Sequence, residues 1–256
     1  MIMKKIILMY HDVFKSSPAE SGFQNNGALI YKISVEHFER QVQLLSQYCS
    51  CSGLDKSSVL FSFDDGGISF HTYIASILEN YDFRGLFFIS TFYIGKKGFL
   101  SEEQIKDLFK RGHFIGAHSH THPTNMKYLA DNELLQEWDV SCAILRNVIG
   151  ENITAGSIPG GSCSRRVIQI MNTCGIDEVY TSIPTIRVKE KLGCKVFGRY
   201  GVKSVMSDKY VLSIVTSKTV RNKIFLKKEL LGIAKIILGD KYTAVRKHIL
   251  YRRKEK

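Results

Sequence analysis

The chain has 256 residues, 44% of them hydrophobic, with only 4 prolines and no biased tract; this excludes a disordered linker or repeat array and allows one sizeable α/β domain. Its net charge of +12 is unevenly spread: residues 218–256 carry 13 lysines and arginines against 3 acids, so the rest is nearly neutral and the charge belongs to an appendage. No window approaches the roughly 20 apolar residues of a membrane-spanning helix, and the six cysteines have neither CxxC nor zinc-ribbon spacing.

The opening, MIMKKIILMYHDV, has an uninterrupted apolar run only from Ile6 to Tyr10 and no small-residue cleavage site, so a first strand over Lys5–Tyr10 is expected rather than a signal peptide. With no export signal, the expectation is a cytoplasmic protein with reduced thiols. Val35, Phe38, Val42 and Leu45 predict an amphipathic helix over Val35–Gln47. A strand at Val59–Phe63, a helix at Phe70–Glu79 and a strand at Leu86–Ser90 follow. Ser101-Glu102-Glu103-Gln104 has capping-box spacing and opens a helix ending near Gly112. Phe114–Ala117 is the next strand, and Asp131 is expected to cap a long helix through Val148. Thr154–Ile158 reads as a strand, Ser164 begins a helix closed by Gly175, and Val179–Thr181 and Lys195–Phe197 read as further strands. The alternation predicts a parallel sheet covered by helices, a (β/α) barrel with its reactive groups at the C-terminal ends of the strands.

Three of those ends are polar. Asp64-Asp65-Gly66-Gly67 follows Phe63, His118-Ser119-His120-Thr121-His122 follows Ala117, and Pro159-Gly160-Gly161 follows Ile158. A strand-terminal carboxylate with two histidines at His-x-x-x-His spacing suits a divalent metal that keeps open positions. Two adjacent aspartates would otherwise repel; a cation offsets the repulsion, with one aspartate as ligand and the other free to take a proton from water. Alone, Asp-Asp-Gly is usually a turn and His-x-x-x-His a surface pair. Their joint placement after strands favours the metal.

Ser62-Phe63-Asp64-Asp65-Gly66 resembles the [T/S]FDDG motif of polysaccharide deacetylases, the NodB-homology group of carbohydrate esterases, and His118–His122 is similar to that family's H[S/T]xxH motif. The resemblance spans about residues 5–200. It implies a distorted (β/α) barrel, a divalent transition metal (zinc foremost) and hydrolysis of N-acetyl groups from sugars. It also implies Asp64 as general base, with Asp65, His118 and His122 as metal ligands. The Gly160 N–H would serve as oxyanion donor, at the position after Pro159. Ser157 stands where the family has an arginine and Gly160 where it has a tyrosine, with Arg199 on a late strand as the available replacement for the arginine. The later histidine motif that usually supplies a general acid is missing. Met9-Tyr10-His11-Asp12-Val13 resembles the first strand of a circularly permuted branch acting in surface-polysaccharide systems, which implies His11 as the acid; a histidine merely capping a strand end is the alternative.

The expected organisation is a barrel over 1–217 and a basic amphipathic helical tail over 218–256. The apolar positions Ile224 to Leu238, interspersed with lysines, suit an anionic membrane surface or a helix packed on the barrel. No nucleic-acid recognition module is visible. The functional expectation is a metal-dependent hydrolase removing N-acetyl groups from an amino sugar or glycan, lipid-linked substrates included, in surface-polysaccharide synthesis at the inner face of the membrane. The alternative is a degenerate deacetylase fold that binds carbohydrate or a partner.

Overall fold

A computed structural model describes residues 5–238, and the chain falls into two compact units, Met1–Thr216 and Ser217–Lys256. In the first unit the strands are β1 (Ile6–Tyr10), β2 (Val13–Phe14), β3 (Ile33–Ser34), β4 (Val59–Phe63), β5 (Gly85–Ile89), β6 (Phe114–Ala117), β7 (Ala155–Ser157), β8 (Glu178–Tyr180), β9 (Lys189–Lys191), β10 (Cys194–Phe197) and β11 (Tyr200–Gly201). Among the described residues, nine of these form one sheet in the order β11-β1-β4-β5-β6-β7-β8-β10-β9, parallel except for the β9–β10 hairpin. The sheet curls as a distorted (β/α) barrel but is not closed, since β11 and β9 remain its edges. β2 and β3 form a separate parallel pair.

β1 and β5 are buried at every position, as expected of barrel strands whose outer face is covered by helices and whose inner face packs on facing strands, where Ile7, Leu86, Phe88 and Tyr180 form one cluster. The covering helices are α2 (Val35–Ser52), α3 (Ala75–Asn80), α4 (Glu102–Lys110), α5 (Asp131–Ile149), α6 (Arg165–Thr173) and α7 (Asp208–Thr216), with α1 (Asn26–Leu29) a single turn near the N-terminus. In α2 the buried Phe38, Val42, Leu45 and Cys49 form one stripe, and Gly53 closes the helix in the left-handed region at φ 69°. Phe38 meets Tyr10, Phe61 and Phe63 edge-on, an aromatic core beneath β1 and β4.

Two local expectations are corrected. The N-cap of α5 is Ala130, whose N–H is held by Glu133 at 2.7 Å; Asp131 occupies the first turn, where its charge complements the helix dipole. The stretch after Gly67 begins with a wide π-helical turn, Phe70–Ile74, before α3. The capping box at Ser101 is present as expected, with Gln104 N–H to Ser101 Oγ at 3.3 Å and Ser101 N–H to Gln104 Oε1 at 2.9 Å.

In the second unit the described segment is one helix, α8 (Lys218–Leu238). The apolar segment Tyr242–Val245 and His248 lie outside the described residues. Among the described residues no helix is long and apolar enough to cross a membrane.

Candidate active site

Sheet register determines which side chains meet. Tyr10 pairs with Phe63 and Phe63 with Phe87, so β5 runs past the end of β4; Ile89 pairs with Ala117, Ala117 with Gly156 and Ser157 with Tyr180, and the staggered C-terminal ends of β1, β4, β5, β6, β7 and β8 gather along one rim of the sheet. The ladder runs one step further through Asp64 N–H to the Tyr10 carbonyl and His118 N–H to the Ile89 carbonyl. His11, Asp64, Asp65, His118, His122, Gly160 and Arg199 all line one cleft of about 520 Å³.

Asp65 sits between the two histidines: its Oδ1 lies 3.4 Å from His118 Nε2 and 3.2 Å from His122 Nε2. One donor atom from each of the three residues falls within 4.8 Å of the others. His118 donates its Nδ1–H to the Ser157 carbonyl at 2.8 Å, which leaves Nε2 as a lone pair facing the carboxylate. Two imidazoles and a carboxylate converging on one point, with an outer hydrogen bond fixing the tautomer, fit a divalent transition metal. Asp65, Ser119 and His122 hold φ values of 87°, 60° and 64°; non-glycine residues in this region are strained, and such strain gathers where geometry serves a ligand.

Asp64 lines the same cleft but is held by a different partner. Arg199 forks onto it, Nη1 to Oδ1 and Nη2 to Oδ2, both at 2.7 Å. The same guanidinium donates to Ser157 Oγ at 2.6 Å, to Ser62 Oγ at 3.3 Å and to the Thr181 carbonyl at 3.2 Å. Ser157, the position of the missing family arginine, thus carries a hydroxyl that bridges Arg199 and Asp64. Burial pushes the Asp64 carboxyl up, but Arg199 and the neighbouring His118 and His11 more than offset this and leave it below the ordinary value. Asp65 is likewise pushed up by burial, yet His11, His118 and His122 hold it well below the ordinary carboxylate value. His118 is lowered by burial and raised more strongly by Asp64 and Asp65.

His11 follows β1, beside Asp64, and its ring stacks on Tyr31 with centroids 4.4 Å apart. Its buried Nδ1 has no hydrogen-bond partner among the described residues. Gly160 turns the chain at φ 60°, where a Cβ would come within 2.7 Å of the Thr124 carbonyl oxygen, so no tyrosine side chain fits this backbone. Other histidines lie elsewhere: His120 meets Thr91 Oγ1 at 2.9 Å, His71 pairs with Asp107, and His113 is buried against the start of β5.

Glu137 on α5 also supports the site. Its Oε2 accepts the N–H groups of His120 at 2.9 Å and Thr121 at 2.8 Å, and its Oε1 accepts the Thr121 hydroxyl, clamping the loop between the two histidines. No local pattern announces it, because a glutamate on an amphipathic helix otherwise reads as a solvated face. The segment between β2 and β3 also reaches the site without a sequence signal. It brings Phe23 to 4.9 Å from the His122 ring and Tyr31 onto His11.

The sequence profile of the family described as polysaccharide deacetylase matches residues 52–179. Among solved structures, the chain resembles the Streptococcus pyogenes deacetylase PplD, determined in complex with acetate (TM-score 0.66, 22% identity, 82% of this chain and 97% of that one). It also resembles IcaB from Ammonifex degensii (TM-score 0.62, 22% identity, 78% and 91%). A 30.6 kDa protein of Geobacillus stearothermophilus encoded in the fumA 3′ region is 23% identical over 169 residues; the match covers 64% of this chain and only 60% of that protein's length. At these identities the structural likenesses establish the fold.

Proposed function

The chain belongs to the polysaccharide deacetylase family, and from that premise we propose that it is a metal-dependent hydrolase removing N-acetyl groups from an amino sugar or glycan. One observation carries the reading: the Arg199-braced Asp64 stands directly beside the Asp65–His118–His122 set in a single cleft. Asp65, His118 and His122 would hold a divalent cation, zinc best matching two imidazoles and a carboxylate, and it would supply Lewis acidity that polarises the acetamide carbonyl and makes water a better nucleophile. Asp64 takes the proton from water, and Arg199 keeps its carboxylate ionised and aimed. The Gly160 N–H steadies negative charge on the acetyl oxygen, and His11 gives a proton to the departing amine. Arg199 favours this reading over a degenerate binding module, because a non-catalytic cleft has no need of a buried, forked carboxylate.

The test is acetate release screened over free, nucleotide-linked, lipid-linked and polymeric N-acetylated sugars. Release from at least one class should disappear in Asp64→Asn while the bound metal remains, a rate loss on the order of 10²–10⁴ for a lost general base. Release that persists in Asp64→Asn sinks the assignment.

The catalytic part is proposed to span residues 1–217. Residues 218–256 are proposed as a tail on the anionic inner face of the membrane, where a lipid-linked acceptor for surface-polysaccharide synthesis would be met. α8 exposes Leu226, Leu230, Leu231 and Ile233 with lysines interspersed, and each basic residue adds up to about 1 kcal/mol near such a leaflet. The full chain should sediment with anionic vesicles less as salt rises, and Leu226→Asp/Leu230→Asp should weaken this. Equal sedimentation with neutral vesicles would refute it.

A further inference from the structure

Asp12, the residue after His11, is a buried carboxylate with 2% exposure that plays no part in the chemistry above. Its Oδ1 accepts the hydroxyls of Ser21 at 2.6 Å and Ser69 at 2.9 Å. Ser69 donates its N–H to Ser21 Oγ at 2.9 Å and accepts the Val13 N–H on its own Oγ at 3.2 Å. The buried Lys32 ammonium closes the far side, donating to the carbonyls of Pro18 (2.7 Å) and Ser21. One carboxylate therefore joins three chain segments: the end of β1 bearing His11, the loop that leaves Asp64–Asp65, and the segment between β2 and β3.

The fit of that carboxylate explains two glycines. A Cβ on Gly67 would lie 1.8 Å from Asp12 Oδ1, and one on Gly22 would lie 1.9 Å from Oδ2. Gly67 has no left-handed backbone requirement, so the second glycine of Asp-Asp-Gly-Gly is there to admit Asp12. The fastened segment touches the site twice, with Tyr31 against His11 and Phe23 against His122.

We propose that Asp12 is a positioning residue that fixes the His11 ring by tying the Tyr31-bearing segment to the strand end and to the loop after Asp65. The inference rests on His11 serving the proposed reaction, but its test needs no turnover. Proton NMR of the metal-free full chain, with His11 assigned from the spectrum of His11→Gln, should show its ring protons displaced upfield by the Tyr31 ring current. In Asp12→Ala that displacement should vanish while circular dichroism stays native. In Asp12→Asn, whose amide oxygen can still accept both hydroxyls, it should largely return. If Asp12→Ala does not fold, Ser69→Ala, which removes one hydroxyl, should reduce the displacement partway. His11 signals unmoved in folded Asp12→Ala, or in Ser69→Ala, overturn the proposal. Absence of acetate release from the wild type would instead count against the hydrolase reading and leave this one standing.

Discussion

Replacing Arg199 with alanine tests whether the site depends on its buried ion pair. The guanidinium is 1% exposed and makes both 2.7 Å bonds to Asp64, so its removal strands a carboxylate that is itself only 4% exposed. Without the cation, Asp64 would be carried as the neutral acid. Holding a carboxyl of ordinary pKa about 3.9 protonated at pH 7 costs roughly 4 kcal/mol, within the 3–5 kcal/mol typical of breaking a buried pair. For a chain of this size that corresponds to a fall in Tm of roughly 6–20 °C. The pH dependence has a definite sign. In the wild type the Asp64 pKa is depressed, so the pair's contribution is present above the ordinary carboxylate value and lost as pH falls through the folded one. The gap between wild type and Arg199→Ala should therefore narrow as unfolding is measured at progressively lower pH. Asp64→Asn/Arg199→Met, which removes both charges, should recover most of the stability and none of the activity. Thermal unfolding followed by circular dichroism decides the matter: Arg199→Ala within about 1 kcal/mol of wild type at pH 7 would mean that the fork does not hold Asp64.

Protein prepared without chelators should carry about one divalent ion by elemental analysis. His118→Ala/His122→Ala should lose it, and equal content in both would refute the ligand set. Glu137→Ala, which frees the His120 and Thr121 N–H groups, should weaken metal affinity by roughly 10- to 100-fold in a competition titration, as outer-shell changes do. His113 should make stability fall with acid: burial lowers its pKa despite Glu79, and its Nδ1 accepts the Gly85 N–H at 3.0 Å, a geometry suited to the neutral ring. The unfolded chain then binds the extra proton more readily, so urea midpoints should drop as pH falls below about 6.5, and His113→Gln should flatten that slope.

How much could be read from residue order depended on the distance over which each feature is encoded. β4 and β6 were legible to the residue because each is a short apolar run ending in polar residues, and the same runs located Asp64, Asp65 and His118. The His11 position was legible for the same reason, since β1 stops where its apolar run stops. The pair β2 and β3 was not, because two-residue strands carry no periodicity and gain their partners only across the fold. Ser17 and Glu20 form a capping box there, at a spacing that could have flagged an ordered turn before the Tyr31 segment.

Arg199 is the instructive case. It stands just before β11, whereas Ser157 ends β7, four places further across the sheet from β1. Only a curled sheet lets one guanidinium reach Asp64, Ser157 and Ser62 together. The arginine expected on a late strand sits instead in the turn between β10 and β11, and it reaches Asp64 without leaving any local motif, because the constraint is on where the charge arrives and not on which element supplies it. Asp12 shows the same logic in reverse: its partners Ser21, Ser69 and Gly67 look like unremarkable loop residues until the carboxylate that they surround is in place. A substitution at Gly67 should therefore act on His11 through Asp12, although Gly67 is far from both in the chain.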